Sequence, residues 1–206
     1  TRILHANSFR RMKHKTQVFF NVENDHICTR MEHVLHVESV SHSIAKALGL
    51  NCELTKAIAL GHDLGHAPFG HFGERILNNL AINGIKDGKE VLVYGLSEQA
   101  IKNLNNAPYF WHERNSLRMV DKLDLLPDDN GNNKNLNLTF AVRDGIISHC
   151  GELKTVNLKP RTQDIDLTKD FIRSGQFEPA TWEGCAVKIS DKIAYLGRDI
   201  EDAIRL

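Results

Sequence analysis

A chain of 206 residues with 41% apolar and 25% charged residues has the length and composition to bury one full core, and residues 1–206 read as one domain. Its formal net charge is zero, which removes any composition-wide argument for nucleic acid or a membrane surface and leaves anion binding to local sites. Cys28, Cys52, Cys150 and Cys185 stand far apart, which reads as a reduced, cytoplasmic chain, and no apolar run has the length of a membrane span or the form of a signal peptide. The compositional anomaly is the 11 histidines, whose positions matter more than their number.

Thr1 to Lys15 is a basic run carrying Arg2, Arg10, Arg11, Lys13, His14 and Lys15. Such a run is either a solvated face or an edge turned toward phosphate. Gln17 to Val22 is β-prone and reads as half of a minor hairpin that turns at Glu23, Asn24 and Asp25. Arg30 to Leu48 reads as a helix, with Val37, Val40, Ile44 and Leu48 at spacings of three and four and Gly49 as its C-terminal cap. Asn51 caps a second helix, whose Leu54, Ala57, Ile58 and Leu60 lead into Gly61-His62-Asp63.

The stretch from His62 to Glu74 (HDLGHAPFGHFGE) is the centre of the chain. Adjacent His62 and Asp63 offer a nitrogen and an oxygen donor to a divalent metal. Gly65, Pro68, Gly70 and Gly73 bend the backbone and bring it close to its surroundings. A third helix is predicted from Phe72 to Leu80. On it His71 and Glu74 share a face, so the carboxylate can orient the imidazole.

Asn83 to Ser97 is weakly patterned. A helix is predicted within Pro108 to Leu126, with Trp111-His112-Glu113 near its start and Leu117, Val120 and Leu123 on one side. Leu126 to Asn137 has the composition of a surface loop, Thr139 to His149 reads as helix, and Gly151 to Asp170 takes no assignment. The last helix is predicted from an N-cap at Thr181 to Leu206. At about 100° per residue, Ile189, Ile193, Leu196, Ile200 and Ile204 form one apolar stripe, expected to be the packed one. Asp191, Tyr195 and Asp199 fall on the other side, lining a cavity or facing solvent. The pattern reaches Leu206 without a stop signal, so the domain is expected to be incomplete at its ends.

Six blocks carry a resemblance: FRRMKHKTQV (Phe9–Val18), DHICTRMEHVLHV (Asp25–Val37), HDLGHAPFGHFGE (His62–Glu74), FWHERNSLR (Phe110–Arg118), VRDGIISH (Val142–His149) and SDKIAYLGRDIEDAI (Ser190–Ile204). With them the chain resembles the HD-domain phosphohydrolases, and among these the deoxyguanosine triphosphate triphosphohydrolases (dGTPases) and their dNTPase relatives. The resemblance implies a mostly α-helical bundle and a metal held by His33, His62, Asp63 and Asp191. His33 rather than His36 is implied because Arg30 completes the family's R-x-x-H. Such a mixed nitrogen and oxygen set suits manganese, magnesium, iron, cobalt or nickel without choosing among them.

The implied reaction is hydrolysis of a deoxynucleoside triphosphate, dGTP leading, to deoxynucleoside and intact triphosphate, with the metal polarising the α-phosphate. His71 is implied as the proton donor to the 5′ oxygen, with Glu74 holding it, and His66 and His112 as histidines around the α-phosphate. Arg30 and Lys192 match phosphate contacts, Tyr195 and Asp199 match deoxyribose contacts, and Gln17 and Val18 match residues at the sugar edge. The family implies a homo-oligomer and, in some members, a nucleotide activator at a second site. One departure is Cys28, where the family often has Arg.

Each histidine taken alone is a surface or core residue before it is a ligand, and His5, His14, His36 and His42 are read that way. His149 lies in a family-like block without a role beyond packing or a helix-end contact. His71 and Glu74 also fit a structural helix start. Two other functions compete: another HD phosphohydrolase, acting on nucleoside monophosphates or guanosine tetraphosphate, and a non-catalytic, metal-bound nucleotide or nucleic-acid sensor. The spacing of His71 and Glu74, and of Lys192, Tyr195 and Asp199 after Asp191, favours the triphosphohydrolase.

Overall fold

Arg30 to Gly61 folds as a helical hairpin because its ends are capped by its own side chains. The computed structural model describes residues 2–17, 27–86, 110–151 and 157–205, and their side chains apart from 80–86, 198–199, 201–202 and 205. Thr29 and Glu32 form a capping box at the start of α3 (Arg30–Ala47), each side chain bonding the other's backbone N–H. Gly49, at φ 68°, ends it: Leu50 N–H donates to the Ala45 carbonyl and Gly49 N–H to the Lys46 carbonyl. Asn51 Oδ1 then accepts from the N–H groups of Glu53 and Leu54, both at 3.1 Å, and starts α4 (Cys52–Gly61).

The fold is mostly α. Preceding the hairpin are α1 (Arg2–His5), α2 (Asn7–Arg11) and a 3-10 turn at Met12–His14. Following it are α5 (Gly70–Lys86), α6 (His112–Arg118), a π-helical turn at Met119–Leu123, α7 (Phe140–Ser148) and α8 (Trp182–Arg205). The only strand pair among the described residues is antiparallel, β1 (Leu126–Pro127) against β2 (Asn133–Lys134). Helix α8 packs across α3, α4 and α7. Met12, Val34, Leu60, Leu64, Leu117, Val120, Leu136 and Ile146 form the main core, and Val37, Ile58, Ala59, Val187 and Ala194 fill the space between α3, α4 and α8. Each such large aliphatic removed from water contributes about 1.5–3 kcal/mol.

Several expectations change. The predicted hairpin from Gln17 to Val22 lies outside the described residues beyond Gln17, although Thr16 forms an antiparallel bridge with Thr29. The strand pair instead lies in the segment read as a surface loop, where Leu136 is fully buried. Helix α5 begins at Gly70 and reaches Lys86, both beyond the predicted Phe72 and Leu80. Leu123 does not share the buried side of Leu117 and Val120; it is 47% exposed, because the π turn adds a residue to the winding. On α8 the two faces are exchanged. Ile193, Leu196, Ile200 and Ile204 are exposed (50, 55, 60 and 79%), whereas Ala186, Val187, Ser190 and Ala194 are buried. Periodicity ranks faces by side-chain size, but the packed face here is the one with small residues, which let the helices approach.

The irregular run from 157 to 181 is pinned to α7. Arg161 bonds Asp144 at 2.5 Å and the Glu178 carbonyl at 2.7 Å, and the second Asp144 oxygen accepts from Ala180 N–H. The Arg161 side chain is 8% exposed and Asp144 is fully buried. Removing one partner of such a pair leaves an uncompensated charge and costs about 3–5 kcal/mol. Arg161→Met is therefore expected to lower unfolding stability by about 3 kcal/mol with an unchanged urea m-value. A loss below about 1 kcal/mol would show that Ile165, Leu167 and Phe171 hold the segment instead.

Candidate metal centre and its surrounding histidines

Arg30 and His33 both turn inward from the first turn of α3, and both are buried. The end of α4 meets them. His62 closes α4 and donates its Nδ1–H to the Ala59 carbonyl at 2.7 Å. That bond fixes the tautomer and leaves Nε2 as a buried lone pair without a hydrogen-bond partner among the described residues.

The turn from His62 to Gly65 is clamped to α6. Ser116 Oγ donates to the His62 carbonyl at 2.7 Å and accepts from Gly65 N–H at 2.9 Å, while Asn115 Nδ2 donates to the Gly65 carbonyl at 2.7 Å. A Cβ at Gly65 would lie 2.1 Å from Ser116 N, so only glycine permits this approach.

Asp191 enters from α8 on the same face as Val187 and Ala194, with Oδ1 2.9 Å from His33 Nε2 and 3.8 Å from His62 Nε2. Asp63 Oδ2 lies 3.6 Å from His62 Nε2 and 4.0 Å from His33 Nε2. His33, His62, Asp63 and Asp191 thus converge in one buried cup. A divalent cation fits these residues: the donors are two imidazoles and two carboxylates, and the His62 lone pair is buried with nothing else to meet. Burial works to raise both carboxylates, yet the imidazoles and the Arg30 guanidinium around them prevail. His62 and Arg30 hold Asp63 well below the ordinary range, and the His33 hydrogen bond helps bring Asp191 to about 2.

A second group stands beside the cup. His66 and His112 stack with ring centroids 4.5 Å apart, and His71 lies 5.5 Å from His66 and 6.2 Å from His112. Glu74 joins them: its Oε2 is 3.3 Å from His71 Nδ1 and 3.5 Å from His112 Nδ1, and its Oε1 accepts from His112 N–H at 3.0 Å. Burial opposes ionisation of Glu74, but its hydrogen bonds to His112 and His71 outweigh it and drive the carboxyl down.

His71 itself is 81% exposed at the rim. His66 and His112 are pushed apart in charge. Burial, then Arg30, holds His66 well below its usual value. His112 is also penalised by burial, but Glu113, then Cys150 and Glu74, raise it well above. Asp63, His66 and His112 form a further donor group, as do His112, His149 and Cys150.

Other predicted contacts are spread around this pair of groups. Arg30 does not extend toward open space: its Nη1 is bound to Asp63 Oδ2 and its Nη2 donates to the Gln17 carbonyl at 3.0 Å. Gln17 is buried, Lys192 is half-buried, and Tyr195 is 40% exposed one turn beyond Asp191. Val18 and the Asp199 side chain lie outside the described residues. His5, His14 and His42 are exposed and His36 is half-buried, all apart from the cup. Cys28 is buried.

Sequence reasoning missed three residues. His149 is fully buried; its Nδ1–H donates to the Ile146 carbonyl at 2.7 Å, and its Nε2 lies 4.0 Å from Asp63 Oδ1. Its ring meets that of His62 at 4.8 Å, and burial, then His62, lowers it to about 4. Glu113 is fully buried beside His112, with Oε1 accepting from Ser174 Oγ and Oε2 3.6 Å from His112 Nδ1. Lys15, from the basic run, donates Nζ–H to the His66 carbonyl at 2.6 Å. Burial, and then Arg30, brings its pKa down to about 8. The DGIISH and WHE blocks marked the first two, but only their packing gives them neighbours.

The chain is similar to known proteins over nearly all its length. It is 41% identical to a deoxyguanosinetriphosphate triphosphohydrolase-like protein of Caldanaerobacter subterraneus, over 99% of this chain and 44% of that one. Proteins of the same description from Clostridium tetani and Desulfatibacillum aliphaticivorans are 41% and 40% identical, over 99% of this chain and 44% and 45% of theirs. The chain thus spans less than half the length of these relatives. The HD domain model matches residues 30–196, which run from the Arg30 of the cup to the last turn before Gly197 on α8. With that match and with His33, His62, Asp63 and Asp191 in one cup, the chain belongs to the HD domain family.

Proposed function

We propose that this site hydrolyses a deoxynucleoside triphosphate, with dGTP the leading substrate, to deoxynucleoside and inorganic triphosphate. The observation that carries the reading is the adjacency of two chemically distinct groups. A cup of His33, His62, Asp63 and Asp191 would hold the divalent metal, and a cluster of His66, His71, His112 and Glu74 stands beside it. The description of the relatives as dGTPase-like supports the same substrate class. When bound, the metal supplies Lewis acidity toward a phosphoryl oxygen and acidifies water.

The chain's own groups do the rest. Glu74 accepts from His71 Nδ1–H, so that an imidazolium at His71 would give its second proton, from Nε2, to the departing 5′ oxygen. His71 is at the exposed rim, where a nucleotide can reach it. His112, held cationic between Glu74 and Glu113, places positive charge next to the reacting phosphate, and neutral His66 stacks on it without repulsion. Arg30 keeps Asp63 ionised as a ligand, and Lys192 supplies a point charge for phosphate. Tyr195 and Asp199 serve the deoxyribose, and Gln17 and Val18 its edge. Assembly as a homo-oligomer and activation by a nucleotide belong to the same reading, and the site is cytoplasmic in it.

Three measurements test this. Incubation with each dNTP, GTP, dGMP and guanosine tetraphosphate in manganese or magnesium is expected to give deoxynucleoside and intact triphosphate from dNTPs alone. Stepwise release of phosphate or pyrophosphate would assign another reaction. Asp63→Ala is expected to abolish metal binding and with it the metal-dependent rise in melting temperature. That rise corresponds to about 2.7 kcal/mol at a metal concentration of about 100 Kd. Full metal content in the variant would remove Asp63 from the ligand set. His71→Ala is expected to retain metal and lose about 10²–10⁴-fold in kcat, and near-parental turnover would exclude the acid role.

A further inference from the structure

We infer that Lys15 binds the phosphate chain of the nucleotide, as an ammonium group that the fold draws out of the basic N-terminal run and into the edge of the site. The inference rests on the function proposed above and adds to it a phosphate contact from outside the HD helices. Arg10, Arg11, Lys13 and His14 of the same run are exposed, whereas Lys15 is half-buried. The backbone forces this. Lys15 O accepts from Arg30 N–H at 2.9 Å, and Thr16 bridges Thr29, so residues 15–17 lie alongside the start of α3. Arg30 Nη2 bonds the Gln17 carbonyl at 3.0 Å, and that carbonyl lies 3.2 Å from where a Cβ on Gly70 would be. The segment is thereby fixed between the metal cup and the first residue of α5.

Charge then identifies the ligand. Arg30, the neighbouring cation, is neutralised by Asp63. Lys15 Nζ has only a carbonyl, that of His66, as acceptor, and no carboxylate within ion-pair distance among the described residues. A partly buried ammonium with a neutral acceptor is costly unless an anion completes it. His66, whose carbonyl accepts from Nζ, is one of the two histidines implied around the α-phosphate, which puts Lys15 at the edge of that position. Gln17 Oε1 and Arg30 Nε, both buried and without hydrogen-bond partners among the described residues, belong to the same edge. A polyphosphate chain, with several acceptor oxygens and several negative charges, fits the Lys15 Nζ and Arg30 Nε donors, and a neutral nucleoside does not.

The test pairs two variants with inorganic tripolyphosphate as the probe. In the metal-loaded protein, Lys15→Met is expected to raise KM for the dNTP and Ki for tripolyphosphate together, by about tenfold or more, with kcat affected less. Lys15→Arg is expected to restore both constants to within a few-fold of the parent. An unchanged tripolyphosphate Ki in Lys15→Met would overturn the inference. So would a fall in kcat and melting temperature alone, which would mark Lys15 as a tie for the His66 loop. Failure of the parent to turn over any dNTP or to bind tripolyphosphate would remove the proposed function and this contact together. Parental turnover with an indifferent Lys15→Met variant would remove the contact alone.

Discussion

The fold depends on placing one carboxylate, Asp63, where water cannot reach it. Each of its oxygens faces two imidazoles, Oδ2 those of His33 and His62 and Oδ1 those of His112 and His149, at 3.6–4.0 Å. Arg30 binds Oδ2 directly. A buried ionised carboxylate is costly by itself, and its neighbours offset that cost only if all are held in place. Their elements are consequently fixed as well: the start of α3 by its capping box, the end of α4 by Ser116 and Asn115, and α7 by the His149 bond to Ile146. The rotation of α8 follows from the same demand. Asp191 must reach His33, so the face that carries Val187, Asp191 and Ala194 turns inward and the large aliphatics turn out.

Electrostatics divides the histidines by their environment. Two imidazoles stacked at 4.5 Å cannot both be cationic at low cost, and the structure gives the charge to His112 by surrounding it with Glu74 and Glu113. His66 remains neutral because it is buried from water and, next, because Arg30 is near. His149 is held neutral by its burial, then by His62, and both His62 and His149 give an Nδ1 proton to a backbone carbonyl three residues earlier. The same i−3 bond occurs at the ends of α4 and α7, where the carbonyls of a last turn have no intrahelical donor. Helix termination and histidine tautomer are therefore one structural event at these two positions.

What the sequence made legible was local. Asn51 and Thr181 as caps, Gly49 as a stop, and α3, α4 and α7 within a residue or two all follow from side-chain chemistry next to the backbone it satisfies. The cup residues were legible through the HD stretch and its family pattern, and they meet in the structure, although their roles rest on the proposal above. Three things were not legible. The inward face of α8 is chosen by partners on α3 and α4, which hydrophobic periodicity does not contain. Glu113 and His149 have ordinary neighbours in sequence and acquire charge partners only through α6 and α7. Lys15 was one cation in a run that read as a solvated face or an edge turned toward phosphate, and only the bonds from Arg30 and to His66 separate it from Lys13.

Unsatisfied atoms give an independent pointer to the same place. Buried polar atoms are nearly always hydrogen-bonded, so a concentration of exceptions asks for a physical reason. Among the described residues Gln17 Oε1, Arg30 Nε, His62 Nε2, Glu113 Oε2 and His149 Nε2 are such exceptions in the cup and the walls around it. Lone pairs and N–H groups are both present, so neither a cation nor an anion alone would complete the set. A metal ion answers the imidazole lone pairs, and an anion with several acceptor oxygens answers the guanidinium and ammonium donors. On the proposed function a metal-associated polyphosphate is the kind of ligand that would bring both, and its binding would recover the stability forgone by leaving these groups unpaired.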